Sequence, residues 1–175
     1  MSLKLDTDFV ARTLGMDLPK PVSLKRISID SRDIAPDDLF IALKGDSFDG
    51  HAYIATSIEK GASAILCERI PESVSEELKS RATFFVVPSS LDAFRKLAHA
   101  WRLEFKGPVI AVAGSVGKTT TKELLAQILR CKWSRVASTL GSQNGYLGIP
   151  LTLFQLTPDT DAIIVEIGID EIGAM

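Results

Sequence analysis

Val109-Ile110-Ala111-Val112-Ala113-Gly114-Ser115-Val116-Gly117-Lys118-Thr119-Thr120-Thr121-Lys122-Glu123-Leu124-Leu125 is the stretch that decides the fold. Its first five residues are an unbroken apolar run, the pattern of a parallel strand covered on both faces. Gly114 to Gly117 then turn the chain. Leu124, Leu125, Ile128 and Leu129 follow at helical spacing, as the inward side of a helix from about Lys118 to Cys131. A strand feeding a glycine turn into a helix aims several backbone N–H groups and the positive end of the helix dipole at one point, which suits a polyphosphate. Lys118 is placed to reach the β- and γ-phosphates of ATP, and Thr119 to offer its hydroxyl to Mg²⁺. The nucleotide-binding residues expected from this reading are Gly114, Ser115, Val116, Gly117, Lys118, Thr119 and Thr120. The motif is the short form, G-x-x-G-K-T, with Val112 where the longer pattern has a glycine.

Downstream, Ala162-Ile163-Ile164-Val165 reads as a second buried strand, ending at Glu166 and followed by Gly168. Ligands collect at the carboxyl ends of strands in open α/β sheets, so Glu166 and Thr119 are the expected Mg²⁺ ligands. Upstream, Lys106-Gly107-Pro108 interrupts a long helix expected from Ser89 or Ser90 to about Phe105. Before it, helices are expected over Thr7–Leu14, Ala52–Lys60 and Glu72–Ser80. Strands are expected over Arg26–Asp30, Leu39–Leu43, Ala64–Cys67 and Phe84–Val87. The fold class is therefore α/β: a small α/β domain over residues 1–107, then over 108–175 the beginning of a P-loop nucleotide-binding α/β domain.

With 175 residues and a formal net charge of −2, the chain has no electrostatic reason to bind nucleic acid or an anionic membrane. It has no apolar run long enough to span a bilayer and no signal-peptide pattern at its start, so a cytoplasmic location is expected. The two cysteines, Cys67 and Cys131, lack Cys or His neighbours at metal-ligand spacing and read as buried or half-buried thiols.

Four segments, in order, resemble the Mur ligases, the enzymes that build the peptide stem of peptidoglycan. Ile29-Asp30-Ser31-Arg32 with Pro36 to Gly45, continued by Phe48-Asp49-Gly50-His51, resembles the family's UDP-binding signature. Gly114 to Glu123 resembles its ATP loop, and Lys122-Glu123 after the threonines is typical of the branch that adds D-alanyl-D-alanine to UDP-N-acetylmuramoyl-tripeptide. Asn144 to Leu153, with Gly148-Ile149-Pro150-Leu151-Thr152-Leu153, resembles a further motif of that branch, and Glu166-Ile167-Gly168 matches the family's Glu-Met/Leu-Gly.

The resemblance implies a UDP-binding first domain with Ile29, Ser31, Arg32, Asp46, Ser47 and Phe48 at the substrate. It implies Lys118, Asn144 and Glu166 in catalysis, and ATP and Mg²⁺ as cofactors. The implied substrates are UDP-N-acetylmuramoyl-peptide and D-alanyl-D-alanine, joined through an acyl phosphate by a monomeric enzyme of cell-wall synthesis. Val116 replaces a small polar loop residue, and Ser142 and Gly145 stand where the branch has asparagines. A sister ligase adding another amino acid is the neighbouring alternative. The family also has a complete central domain and a third domain, which supply a His metal ligand, a carbamylated lysine, the adenine contacts and the amino-acid site. Without them, the expectation for the 175 residues alone is binding of a UDP-sugar and ATP without turnover, as a fragment or a naturally short relative.

Overall fold

The computed structural model describes residues 3–17, 21–45, 48–141 and 143–168. Contacts divide the chain into two units, Lys4–Leu97 and a second built mainly from Ala98 onward.

In the first unit, α1 (Thr7–Leu14) starts where the Asp6 carboxylate accepts the Phe9 N–H at 2.8 Å, and stops at Gly15. Strands β1 (Arg26–Ser28), β2 (Asp38–Ile41), β3 (Ala64–Cys67) and β4 (Thr83–Val86) form a parallel sheet in chain order. Ile27 lies opposite Leu39, Phe40 opposite Ile65, and Leu66 opposite Phe85. Phe40, Ala42, Ile65 and Cys67 pack with Ile54 and Ile58 of α2 (Ile54–Glu59). The alternating residues Leu39, Ile41, Ala64 and Leu66 are equally buried, so the two central strands are covered on both faces. Each large apolar side chain removed from water there contributes about 1.5–3 kcal/mol.

Local hydrogen bonds trim several expected elements. β1 stops at Ser28 because Asp30 accepts the Arg32 N–H at 2.9 Å and folds Ser31–Asp33 into a 3₁₀ turn. Asp49 does the same for Gly50–Tyr53, which delays α2 to Ile54. The helix expected from Glu72 is α3 (Glu76–Ser80), its start fixed by Ser75 Oγ accepting the Leu78 N–H at 3.2 Å. The long helix is α4 (Ser90–Glu104).

The cysteines differ from their expected similarity. Cys67 is buried in β3, and burial pushes its thiol up to about 11, whereas Cys131 is exposed beyond the end of a helix. At pH 8 in native buffer, a thiol reagent should therefore modify Cys131 rapidly and Cys67 only after denaturant is added. Equal rates at both cysteines would contradict the packing of β3.

The second unit has β5 (Val109–Ala113), α5 (Lys118–Arg130), β6 (Val136–Ser138), α6 (Gly148–Leu153) and β7 (Ala162–Ile167). Its parallel sheet runs β5-β7-β6. The expectation that β5 is covered on both faces is not met among the described residues: Val112 is buried, but Ala111 and Ala113 are exposed, and β5 lies at the sheet edge.

The inward face of α5 also needs correction. Lys122 and Ala126 are buried, and Leu125 and Leu129 pack on Val112, Val136 and Ile164. Leu124 and Ile128 are 55% and 64% exposed. The sheet takes one stripe at positions 122, 125, 126 and 129, and Leu124 and Ile128 sit about 100° around the helix from Leu125 and Leu129.

Neither β6 nor α6 is legible by pattern. β6 has only 3 residues. α6 opens Gly148-Ile149-Pro150, which reads as a break, yet Pro150 lies in the first helical turn, where no N–H is needed for the ladder.

Candidate active site

The register of the second sheet brings the phosphate loop and the carboxylate together. Val112 pairs with Glu166 and Ala113 with Ile167, so Glu166 lies beside the strand end from which Gly114 departs. Residues 114–117 are exposed, with the Val116 side chain 88% accessible at the loop tip. Gly117 caps α5 at φ +76°, a left-handed conformation in which any side chain would be strained. It offers no side-chain cap, and the first turn of α5 holds no acid. By contrast, α1 starts on Asp6 and carries Asp8, and α3 starts on Ser75 and carries Glu76 and Glu77. The leading N–H groups of α5 and its positive dipole end are thus left to an external anion.

Lys118 curls back over the loop, its Nζ donating to the Gly114 carbonyl at 2.9 Å. Thr119 Oγ1 donates to Glu166 Oε1 at 3.1 Å, and Asn144 Nδ2 donates to the same oxygen at 2.8 Å. Ser115 and Thr120 are exposed beside them. The structure thus gathers Gly114–Thr120, Asn144 and Glu166 into one place. Glu166 is not an exposed acid at a strand end: β7 continues to Ile167 and Glu166 is 1% exposed. Its other oxygen, Oε2, is buried and has no hydrogen-bond partner among the described residues.

Three further residues complete the site. Thr139 Oγ1 accepts the Glu166 N–H at 2.9 Å and the Thr152 hydroxyl at 3.3 Å. Lys122, 0% exposed, donates from Nζ to the Thr139 carbonyl at 2.7 Å and the Gly141 carbonyl at 2.9 Å. A lysine three positions after Thr119 falls on the same helix face, and that spacing is the sequence signal that could have placed Lys122 in the site.

The expected UDP-contacting residues belong to the first unit. Ser31 and Arg32 form the turn after β1, Ile29 is half-buried beside them, and Phe48 is 50% exposed with its ring against Gly45. Arg32 pairs with Asp30 at 2.7 Å; its guanidinium and then its backbone N–H hold that carboxyl at about 2. Asp46 and Ser47 lie outside the described residues. His51 is buried: Nε2 accepts the Glu68 N–H at 2.9 Å and Nδ1 contacts Asp49 at 2.6 Å. A backbone N–H can only donate, so the ring is neutral with its proton on Nδ1, a structural tie rather than an acid or base. The His51 backbone N–H, then its ring and Arg69, hold the Asp49 carboxyl below its usual range.

Residues 23–102 match the model of the Mur ligase family, catalytic domain, and residues 112–174 match that of the Mur ligase middle domain. The chain belongs to the Mur ligase family. It is 40% identical over 150 residues to the UDP-N-acetylmuramoyl-tripeptide–D-alanyl-D-alanine ligase of Synechocystis, which covers 86% of this chain and 32% of that protein. Among solved structures of the family, MurF from Acinetobacter baumannii superposes with a TM-score of 0.82 at 29% identity, over 97% of this chain and 37% of that one. MurF from Thermotoga maritima in complex with ADP superposes with a TM-score of 0.72 at 35% identity, over 86% of this chain and 33% of that one. This Mur ligase chain spans about a third of the length of the curated relatives it matches.

Proposed function

We propose that this chain is the UDP-substrate and ATP-loop portion of an ATP-dependent ligase that adds D-alanyl-D-alanine to UDP-N-acetylmuramoyl-tripeptide. The observation that carries the reading is the uncapped start of α5 beside a buried carboxylate, with Lys118 arched over the loop between them. ATP would lie with its phosphates on the N–H groups of residues 114–119. The Lys118 ammonium would exchange the Gly114 carbonyl for a terminal phosphate oxygen. A relative solved in complex with ADP supports an adenine nucleotide as the ligand.

The donor set fits Mg²⁺. Thr119 Oγ1 and Glu166 Oε1 lie 3.1 Å apart. Neighbouring ligands of an octahedral ion with bonds of about 2.1 Å lie about 3 Å apart. Among the described residues no cluster of three or more His, Cys, Asp or Glu forms, so few protein oxygens would hold the ion and phosphate oxygens and water would complete its shell. When bound, Mg²⁺ would neutralise charge on the transferring phosphoryl group. Asn144 would hold Glu166 in place through its 2.8 Å contact, and Thr139 would fix the backbone at Glu166.

The reaction follows from the proposed substrates. A carboxylate oxygen of the UDP-linked peptide takes the γ-phosphoryl group of ATP, releasing ADP. The amine of D-alanyl-D-alanine then attacks the acyl carbon, and phosphate leaves as the amide forms. Loop amides and Lys118 stabilise the phosphoryl charge, and such preorganised electrostatics are commonly the largest catalytic contribution. Residues 1–107, with Ile29, Ser31, Arg32 and the 46–48 loop, would hold the UDP moiety, and no membrane or nucleic acid takes part. Titration calorimetry of the chain should give saturable binding of UDP-N-acetylmuramoyl-tripeptide and, at a separate site, of ATP. Absence of either would remove the corresponding half of the reading.

A further inference from the structure

Lys122 has no part in the chemistry above, yet it is the most enclosed cation of the second unit's site. Its side chain is 0% exposed and lies on the stripe of α5 that faces the sheet. Its ammonium sits among four oxygens: Thr139 O at 2.7 Å, Gly141 O at 2.9 Å, Glu123 Oε1 at 3.1 Å and Glu166 Oε2 at 3.7 Å. Two carbonyls and two carboxylates are the donors a hard divalent cation takes. Glu166 Oε2, buried and without a hydrogen bond among the described residues, faces this ammonium.

We propose that Lys122 is a resident counter-cation: it supplies beside Glu166 the positive charge that a free divalent metal would bring, so that the metal is held here only together with nucleotide. The proposal rests on the reading of this site as ATP- and metal-binding. A buried carboxylate is stabilised by a cation at contact distance. With the ammonium in place, a divalent ion approaching Oε1 and Thr119 meets a fixed positive charge across one carboxylate, and the low local dielectric strengthens that repulsion. The phosphates of a nucleotide bring enough negative charge to offset it. Lys122 cannot swing away, because two backbone carbonyls tether it and no solvent reaches it. A lysine that only anchored the 139–141 turn would be replaceable by a neutral donor; a counter-cation would not.

Mn²⁺ serves as the probe, its free concentration read by electron paramagnetic resonance without nucleotide. Wild type, Lys122→Gln, Lys122→Arg and the double variant Lys122→Gln/Glu166→Gln are compared, each checked for folding by thermal melt. Wild type should bind Mn²⁺ weakly, and Lys122→Gln at least about tenfold more tightly, the scale of changes made next to metal ligands. Lys122→Arg should behave as wild type, and the double variant should lose the gain. Lys122→Met, close in volume to the lysine stem, carries the same prediction if the glutamine variant does not fold. The proposal is overturned if the neutral variants bind no more tightly than wild type. It is equally overturned if the gain survives Glu166→Gln, or if wild type already binds as tightly as they do. A parallel ATP titration of wild type separates the two readings: absent ATP binding defeats the nucleotide site, while the Mn²⁺ comparison still decides the role of Lys122.

Discussion

Lys118→Ala is expected to lower the affinity of the chain for ATP by roughly ten- to a hundredfold, the scale of one lost charge-assisted hydrogen bond to an anion. Among the described residues, the ammonium's hydrogen bond is 2.9 Å to the Gly114 carbonyl, on an exposed loop. Its removal therefore leaves no buried group unpaired, and stability should change by no more than about 0.5 kcal/mol. Calorimetry with ATP and Mg²⁺ measures the first effect and thermal unfolding the second. The affinity loss should fall on ATP and leave UDP-N-acetylmuramoyl-tripeptide unaffected. A variant that binds ATP as wild type does would remove Lys118 from the site. One that loses ATP because it melts early would show that the loop needs the lysine for its shape.

The phosphate loop was legible because its chemistry is local. A strand, a glycine turn and a helix stand consecutively in the chain, and the glycine forced by the left-handed backbone at Gly117 appears as a letter. The same holds for Phe40, Ile65 and Cys67, whose apolar runs announce a sheet interior. What was not legible depends on register and on which elements meet. Glu166 reads as a strand-end acid until its pairing with Val112 fixes it inside the sheet, 1% exposed. Thr139 carries no signal at all: its hydroxyl matters only because β6 lies beside β7 and presents it to the Glu166 N–H. The wrong stripe on α5 has the same origin. Leu124 and Ile128 fit a helical repeat as well as Leu125 and Leu129 do, and the charge on Lys122 argued against the side that is in fact buried. A lysine enters a core stripe only where carbonyls and carboxylates receive it, and apart from the adjacent Glu123 those partners lie 17 to 44 residues further along the chain.

Gly148→Ala is expected to destabilise the second unit by about 3 kcal/mol, the upper part of the range for overpacking a tight contact. The glycine opens α6, and a Cβ built there would collide with the Gln143 carbonyl group and lie 2.8 Å from the Gln143 Cα. Those are backbone atoms, so the clash cannot be relieved by turning a side chain; the 143–147 loop must move. That loop carries Asn144, whose amide donates to Glu166 at 2.8 Å and whose carbonyl accepts the Gly168 N–H at 2.8 Å. A shift at Gln143 is therefore transmitted to the carboxylate through one peptide unit, and loss of stability and of the Asn144–Glu166 contact should appear together. For a chain of this length the melting temperature should fall by roughly 6–12 °C, with amide exchange quickening at Gly168. An alanine variant that melts with wild type would mean that α6 can tilt away from Gln143, and that this glycine answers to something other than the close approach of its helix to the loop.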